Sequence, residues 1–162
     1  MSQKVELANR NIADLAPFFA QRLHLALAEC VEKGYNVELF EGYRSPERQN
    51  FLYEKGRSNN EKIVTWARAG QSFHNVCLGA DVVYKIKGKW CWSEDYDKVE
   101  QIMLSHGFSS LKVERCHFQI TGGLTISQAW NIAKTNGLMH LWSIVEGNIN
   151  EKQNPNKKIK QL

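Results

Sequence analysis

His74 and Asp81 lie seven residues apart in Gln71-Ser72-Phe73-His74-Asn75-Val76-Cys77-Leu78-Gly79-Ala80-Asp81. The aspartate interrupts an otherwise apolar strand pattern, where a carboxylate is costly to bury unless a cation or donor pairs with it. The histidine precedes that strand and can fold back over the same face. In Glu114-Arg115-Cys116-His117-Phe118-Gln119, the residues Phe118 and Ile120 suit a core, while His117 and Gln119 face the other way. Two imidazoles, one carboxylate and an open fourth position are the ligand set of a catalytic zinc site. Zinc brings the pKa of a bound water from about 15.7 toward about 7. Glu114, three residues before His117, is placed to act as general base and then to protonate a leaving amine. Each residue alone has a plainer reading. His74 can be a solvated loop histidine, Asp81 a cap or ion-pair partner, His117 a satisfied core histidine and Glu114 a surface charge. Their combination is what points to chemistry.

Holding these groups together takes a strand under Asp81, another under His117 and a turn that returns His74. Leu15 to Lys33 is the first strongly periodic segment, with Leu15, Phe18, Phe19, Leu23, Leu27 and Val31 at helical spacing. Asp14 is its expected cap, Pro17 lies in its first turn and Gly34 ends it. Asn36 to Glu41 alternates as a strand. Ser45-Pro46-Glu47-Arg48 opens a helix running toward Gly56, and Gly56 to Gly70 reads as loop. Leu78 to Tyr84 is a strand with Leu78, Ala80 and Val82 on one face and Gly79, Asp81 and Val83 on the other. Gly88 marks a hairpin turn. Asp95 to His106 is a helix that buries Tyr96, Val99, Ile102 and Met103, and His117 to Ile120 is a short strand. Thr125-Ile126-Ser127-Gln128 resembles a capping box opening a helix to Thr135 or Asn136, and apolar Leu138 to Val145 extends the helical layer. This mixture lacks a βαβ rhythm. It predicts an α+β fold with a small, mostly antiparallel sheet flanked by helices. One domain is expected over residues 1–147, followed by a disordered, polar, basic tail over 148–162.

Four further segments fall in a familiar order. Glu41-Gly42-Tyr43-Arg44-Ser45-Pro46-Glu47-Arg48-Gln49 resembles a "YRS…Q" motif and Leu52-Tyr53-Glu54-Lys55-Gly56-Arg57 an "LYxxGR" motif. The stretch from Ile63 to Asn75 resembles "VTxAxxGxSxHN", and Cys116-His117-Phe118-Gln119 resembles "PHFQ". Together they resemble the D-alanyl-D-alanine carboxypeptidase and L-alanyl-D-glutamate endolysin family of zinc peptidases, which share a Hedgehog/D,D-peptidase-like fold. The resemblance covers Leu15 to Gln119. It implies that His74, Asp81 and His117 bind zinc and that Glu114 is the general base and acid. Arg44 is implied to polarise the scissile carbonyl, and Gln49 and Ser72 to shape the substrate cleft. It further implies cleavage of peptidoglycan stem peptides at the L-alanyl–D-glutamate bond, as in phage endolysins. D-Ala-D-Ala carboxypeptidase or dipeptidase activity is the alternative, and a non-catalytic wall-binding domain on the same fold is a third reading. Three departures stand out. Cys77 occupies a glycine position and Gly79 an alanine position of the "HxxGxAxD" pattern, Cys116 replaces a proline, and a Trp-Gly-Gly-Trp stretch is lacking before Glu114.

Composition narrows the partners. The chain of 162 residues is 43% hydrophobic and 23% charged, ordinary for a globular domain. Of the net charge of +4, the segment from Glu151 to Leu162 carries +3, from four lysines and one glutamate. The nearly neutral remainder argues against nucleic-acid binding, while the tail lysines suit weak contact with anionic lipid or lipopolysaccharide. Cys30, Cys77, Cys91 and Cys116 form no C-x-x-C pair and are expected as free thiols, Cys77 being near enough to the metal to be a minor ligand candidate. Trp130 and Trp142 are expected to pack in the C-terminal helical layer. No secretory signal is seen at the N-terminus. The expectation is therefore a monomer made in the host cytoplasm that reaches the cell wall after holin-type release.

Overall fold

A computed structural model describes residues 4–57 and 60–153. Five antiparallel-paired strands form one sheet in the order β1-β2-β5-β4, with β3 hydrogen-bonded to the far end of β2. The strands are β1 (Val37–Glu41), β2 (Gly79–Ile86), β3 (Lys89–Cys91), β4 (Ser109–Leu111) and β5 (Glu114–Gln119). Five α-helices accompany them: α1 (Pro17–Glu32), α2 (Pro46–Glu54), α3 (Asp97–Ser105), α4 (Ile126–Asn136) and α5 (Leu138–Gln153). The α+β expectation therefore holds. β3 and β4 are three residues each, too short to show a period, and sequence patterning overlooked them. Among the described residues no helix is long and apolar enough to cross a membrane.

The core lies on one side of the sheet. Val37, Leu39, Leu78, Ala80, Val82, Phe118 and Ile120 meet Phe19, Leu23, Ala26 and Cys30 of α1 and Val99 and Met103 of α3. Phe19 and Phe108 pack edge-to-face with centroids 5.1 Å apart, an arrangement contributing about 0.5–1.5 kcal/mol beyond the area it buries. The buried stripe of α1 follows Phe19, Leu23, Ala26 and Cys30 rather than Val31, which is exposed. Steps of four, three and four residues hold one helix face, and Val31 lies a further 100° around it. Asp14 does not cap α1. Ala16 holds that position without a side-chain bond, and the Asp14 carboxylate instead accepts from Asn9 and Asn11 at 2.8 and 3.0 Å. Ser45 caps α2 by accepting from Arg48 N, and that helix ends at Glu54.

The C-terminal expectation needs correcting. α5 runs unbroken through Asn148 to Gln153, Asn148 Nδ2 donates to Gly122 O at 3.0 Å, and Ile149 packs on the core. The amphipathic pattern continues past residue 147 although its composition turns polar. Residues 154–162, including the basic tail's last three lysines, lie outside the described residues. The capping box at Thr125 and Gln128 forms as expected.

α4 and α5 brace the segment before His74. Gly70 has φ +79, and a Cβ there would meet Trp130 Nε1 at 2.5 Å. Both the backbone conformation and the ring exclude a side chain. Gly70→Ala should cost about 2–3 kcal/mol and lower the melting temperature by about 5–10 °C in a thermal denaturation series.

Candidate metal centre

Each ligand is delivered by a different local device. His74 lies in a short 3-10 helix, Phe73–Val76, whose N-cap Ser72 accepts from His74 N at 3.3 Å. The turn ends at Cys77, held at φ 62 and ψ 26 in the left-handed region. The family pattern has glycine there, and the cysteine tolerates the strained conformation, which costs about 1–2 kcal/mol for a non-glycine residue. The chain then enters β2 so closely that a Cβ on Gly79 would lie 2.8 Å from His74 N. Asp81 pairs in register with His117 on one side and with Glu41 on the other. Strand register thus fixes two of the three ligands as direct cross-strand neighbours.

The three side chains converge. His74 Nε2 and His117 Nδ1 are 3.1 Å apart, and Asp81 Oδ1 is 3.2 Å from each. Outer partners settle the tautomers. His74 Nδ1 sits 2.6 Å from the Gly42 carbonyl, which only accepts, so this nitrogen carries the proton. His117 Nε2 likewise donates to Gln119 Oε1 at 3.1 Å. Both inward nitrogens are therefore bare, and three lone pairs face one point with no hydrogen between them. Such a set is repulsive unless a cation or an extra proton enters. The donor set thus fits a metal ion, and among the described residues His74, Asp81 and His117 are the group whose ligand atoms lie close enough together to hold one.

Electrostatics agree. Burial, then the Arg44 charge, pushes the His74 pKa down and keeps its imidazole neutral. Burial opposes ionisation of Asp81, but His74, His117 and Arg44 outweigh it and hold its carboxyl well below the usual range. Without a cation the extra proton goes to His117: burial opposes its charge, but donation from its Nδ1 to Asp81 and the charge of that carboxylate raise its pKa above the ordinary value. Cys77 stays out of the group, its thiol pushed up to about 12, first by burial. All four cysteines are free, as expected.

Behind the ligands lies a buried ion network that the sequence reading missed. Glu41, 1% exposed, accepts from Arg44 Nη2 at 2.8 Å and from Arg48 Nε. Arg44 Nη2 also donates to Asp81 Oδ2 at 3.1 Å, orienting the oxygen that the histidines do not use. A register irregularity between Leu39 and Glu41 makes this possible. Strict alternation would leave Glu41 on the core face with Val37 and Leu39, and the bulge turns it beside Asp81. An acid at an apolar parity was the available signal, the same one that singled out Asp81.

The remaining candidates separate. Glu114 is exposed, yet it lines the cleft that His74, Asp81, His117, Arg44 and Ser72 also line, a space of about 1090 Å³. Three residues of regular strand would turn Glu114 away from His117, but pairing between β4 and β5 is irregular at Leu111. Gln49 is fully buried, with its amide donating to Ala67 O and accepting from Arg44 Nη1. It braces the cleft from beneath and does not face it. Trp142 is part-buried and its Nε1 donates to Val76 O at 3.0 Å, so the last helix holds the His74 turn. Gln119→Ala should weaken affinity for an added divalent metal ion about 10–100-fold in a chelator competition titration, because His117 loses its outer partner. Glu41→Gln should cost about 3 kcal/mol in chemical denaturation by leaving buried arginine charge uncompensated.

Comparison with known proteins agrees with this geometry. Residues 13–114 match the family model described as VanY, D-alanyl-D-alanine carboxypeptidase. The peptidoglycan L-alanyl-D-glutamate endopeptidase CwlK of Bacillus subtilis (strain 168) is 38% identical over 86 residues, which are 52% of this chain and 52% of that protein. The match thus spans about half the length of that curated relative. The solved structure of the LdcB LD-carboxypeptidase superposes with a TM-score of 0.50 at 20% identity, covering 80% of this chain and 68% of the other, a likeness of fold. Since the family model covers more than half of its residues, the chain belongs to the VanY D-alanyl-D-alanine carboxypeptidase family.

Proposed function

We propose that this protein is a zinc-dependent peptidase of peptidoglycan stem peptides, directed at the L-alanyl–D-glutamate bond. The observation carrying the proposal is the set of three inward-facing acceptors, His74 Nε2, Asp81 Oδ1 and His117 Nδ1, at the floor of an open cleft. Donors about 2.0–2.1 Å from a tetrahedral zinc stand about 3.3 Å apart, close to the 3.1–3.2 Å separations of this ion-free set. Zinc bound there supplies a Lewis acid and a water of lowered pKa.

The chain's own residues supply the rest. Glu114, on the same cleft, takes the proton of the attacking water and returns it to the leaving amine. Arg44 places positive charge beside Asp81, where an oxygen gaining negative charge is stabilised. Its Nε is buried without a hydrogen-bond partner among the described residues. Gly42 and Gln119 fix the imidazole tautomers, and Ser72 holds the turn. The endopeptidase name of the 38%-identical relative supports the choice of bond. Hydrolysis of a terminal D-Ala-D-Ala bond is the second reading, favoured by the description of the family model.

Digestion of purified peptidoglycan followed by product mass spectrometry separates the two. New N-terminal D-glutamate is expected, while free D-alanine as the sole product would overturn the bond assignment. Glu114→Gln should keep stoichiometric zinc and lose about 10²–10⁴-fold in kcat. By contrast, His74→Ala or His117→Ala should lose zinc itself, read by elemental analysis.

A further inference from the structure

The cleft continues beyond the metal centre along the same face of the sheet. β2 sends Asp81, Val83 and Lys85 to this side, opposite the core-facing Ala80 and Val82. At the far end stands an aromatic cluster. Phe40, the residue displaced by the bulge in β1, packs edge-on against Trp90 at 5.1 Å and Trp92 at 5.0 Å. The Arg10 guanidinium lies over Phe40 and Trp90, 5.2 and 4.9 Å from their centroids, and Lys85 Nζ lies 3.9 Å from the Trp90 ring centre. Phe40, Trp92 and Arg10 line the cleft, and Trp92 is 51% exposed. A large aromatic ring held rigid by its neighbours while half open to a cleft is a built surface for a flat apolar partner. No ion pair or hydrogen bond engages the Arg10 guanidinium among the described residues, so stacking fixes its plane and leaves its N–H edge free.

Resting on the peptidase reading above, we propose that Trp92, Phe40 and Arg10 form a subsite for the muramoyl sugar that carries the stem peptide. The C–H face of the pyranose would stack on Trp92, with Arg10 donating to its amide or lactyl oxygens. Spacing supports this occupant. Cys91 and Trp90 pair with Tyr84 and Lys85, so the next residue of that register, Trp92, lies level with Val83, which strand rise places about 7 Å beyond Asp81 along β2. In an L-alanyl–D-glutamate substrate, the alanine and the lactyl link, about 7 Å when extended, separate the scissile carbonyl from the sugar. A D-Ala-D-Ala terminus instead lies about four residues, some 14 Å or more, from it. The subsite thus favours the bond next to the glycan and supplies a reason for that bond choice.

The test compares kcat/KM on a sugar-bearing muramoyl tetrapeptide with kcat/KM on the same tetrapeptide without sugar, using zinc-loaded protein. Wild type should prefer the sugar-bearing substrate. Trp92→Ala should reduce that preference about tenfold, chiefly through KM, and Trp92→Phe should restore part of it. Arg10→Ala, a substitution at an exposed side chain, should reduce it as well. An unchanged preference in both Trp92→Ala and Arg10→Ala, with hydrolysis intact, overturns the subsite and leaves the peptidase standing. Should wild type hydrolyse neither substrate, calorimetric titration with the muramoyl tetrapeptide still decides. Binding that Trp92→Ala weakens keeps the subsite and sinks the peptidase, whereas equal binding by both proteins sinks the subsite too.

Discussion

Three lone pairs pointed at one another are the interaction around which this molecule is arranged. Left alone, two bare imidazole nitrogens and a carboxylate oxygen at 3.1–3.2 Å repel. The fold must therefore hold them against that repulsion, which a bound cation would relieve. Much of the polar interior serves this end. The Gly42 carbonyl and the Gln119 amide fix where each imidazole keeps its proton, and Glu41 and Arg44 fix the aspartate from behind. Arg48 balances Glu41, so that the buried charges form a connected set with no isolated carboxylate.

Of the three converging side chains, Asp81 and His117 were legible in the sequence because each broke a local rule. Asp81 put charge into an apolar strand, and His117 shared a parity with Gln119 beside two core residues. The helices were legible for the opposite reason: α1, α3 and α4 each bury one face at helical spacing, and α4 also forms the capping box its sequence announces. What escaped were features set by register. Glu41 changes sides through a bulge, and Glu114 joins the cleft through an irregular hairpin. Neither follows from counting residues along one strand. Gln49 belongs to the motif that marked the cleft, yet it lies wholly beneath the surface, because a motif records that a position matters and not the direction it faces. The polar composition past Asn148 suggested a tail, whereas tertiary packing through Ile149 and the Asn148 bond sustains the helix.

Positive φ at Cys77 illustrates how the site balances strain against packing. A glycine would adopt this conformation freely. The cysteine instead fills core space beside Leu78 and Val76, and its buried, protonated thiol stays out of metal chemistry. Departure from the family pattern at this point therefore changes the packing of the turn without changing the ligand set.

The hydrogen bond from Trp142 to Val76 has a temporal side. A nascent chain leaves the ribosome N-terminus first, so His74 and Asp81 emerge long before the helix that clamps their turn. The cross-strand neighbour His117 follows later, and α5 comes last. Until then the half-built centre offers only a loosely held pair of donors, too poorly ordered to retain an ion firmly. Firm placement of the His74 turn is thereby tied to synthesis of α5, and a product that stops short of Trp142 would lack the bond that clamps it.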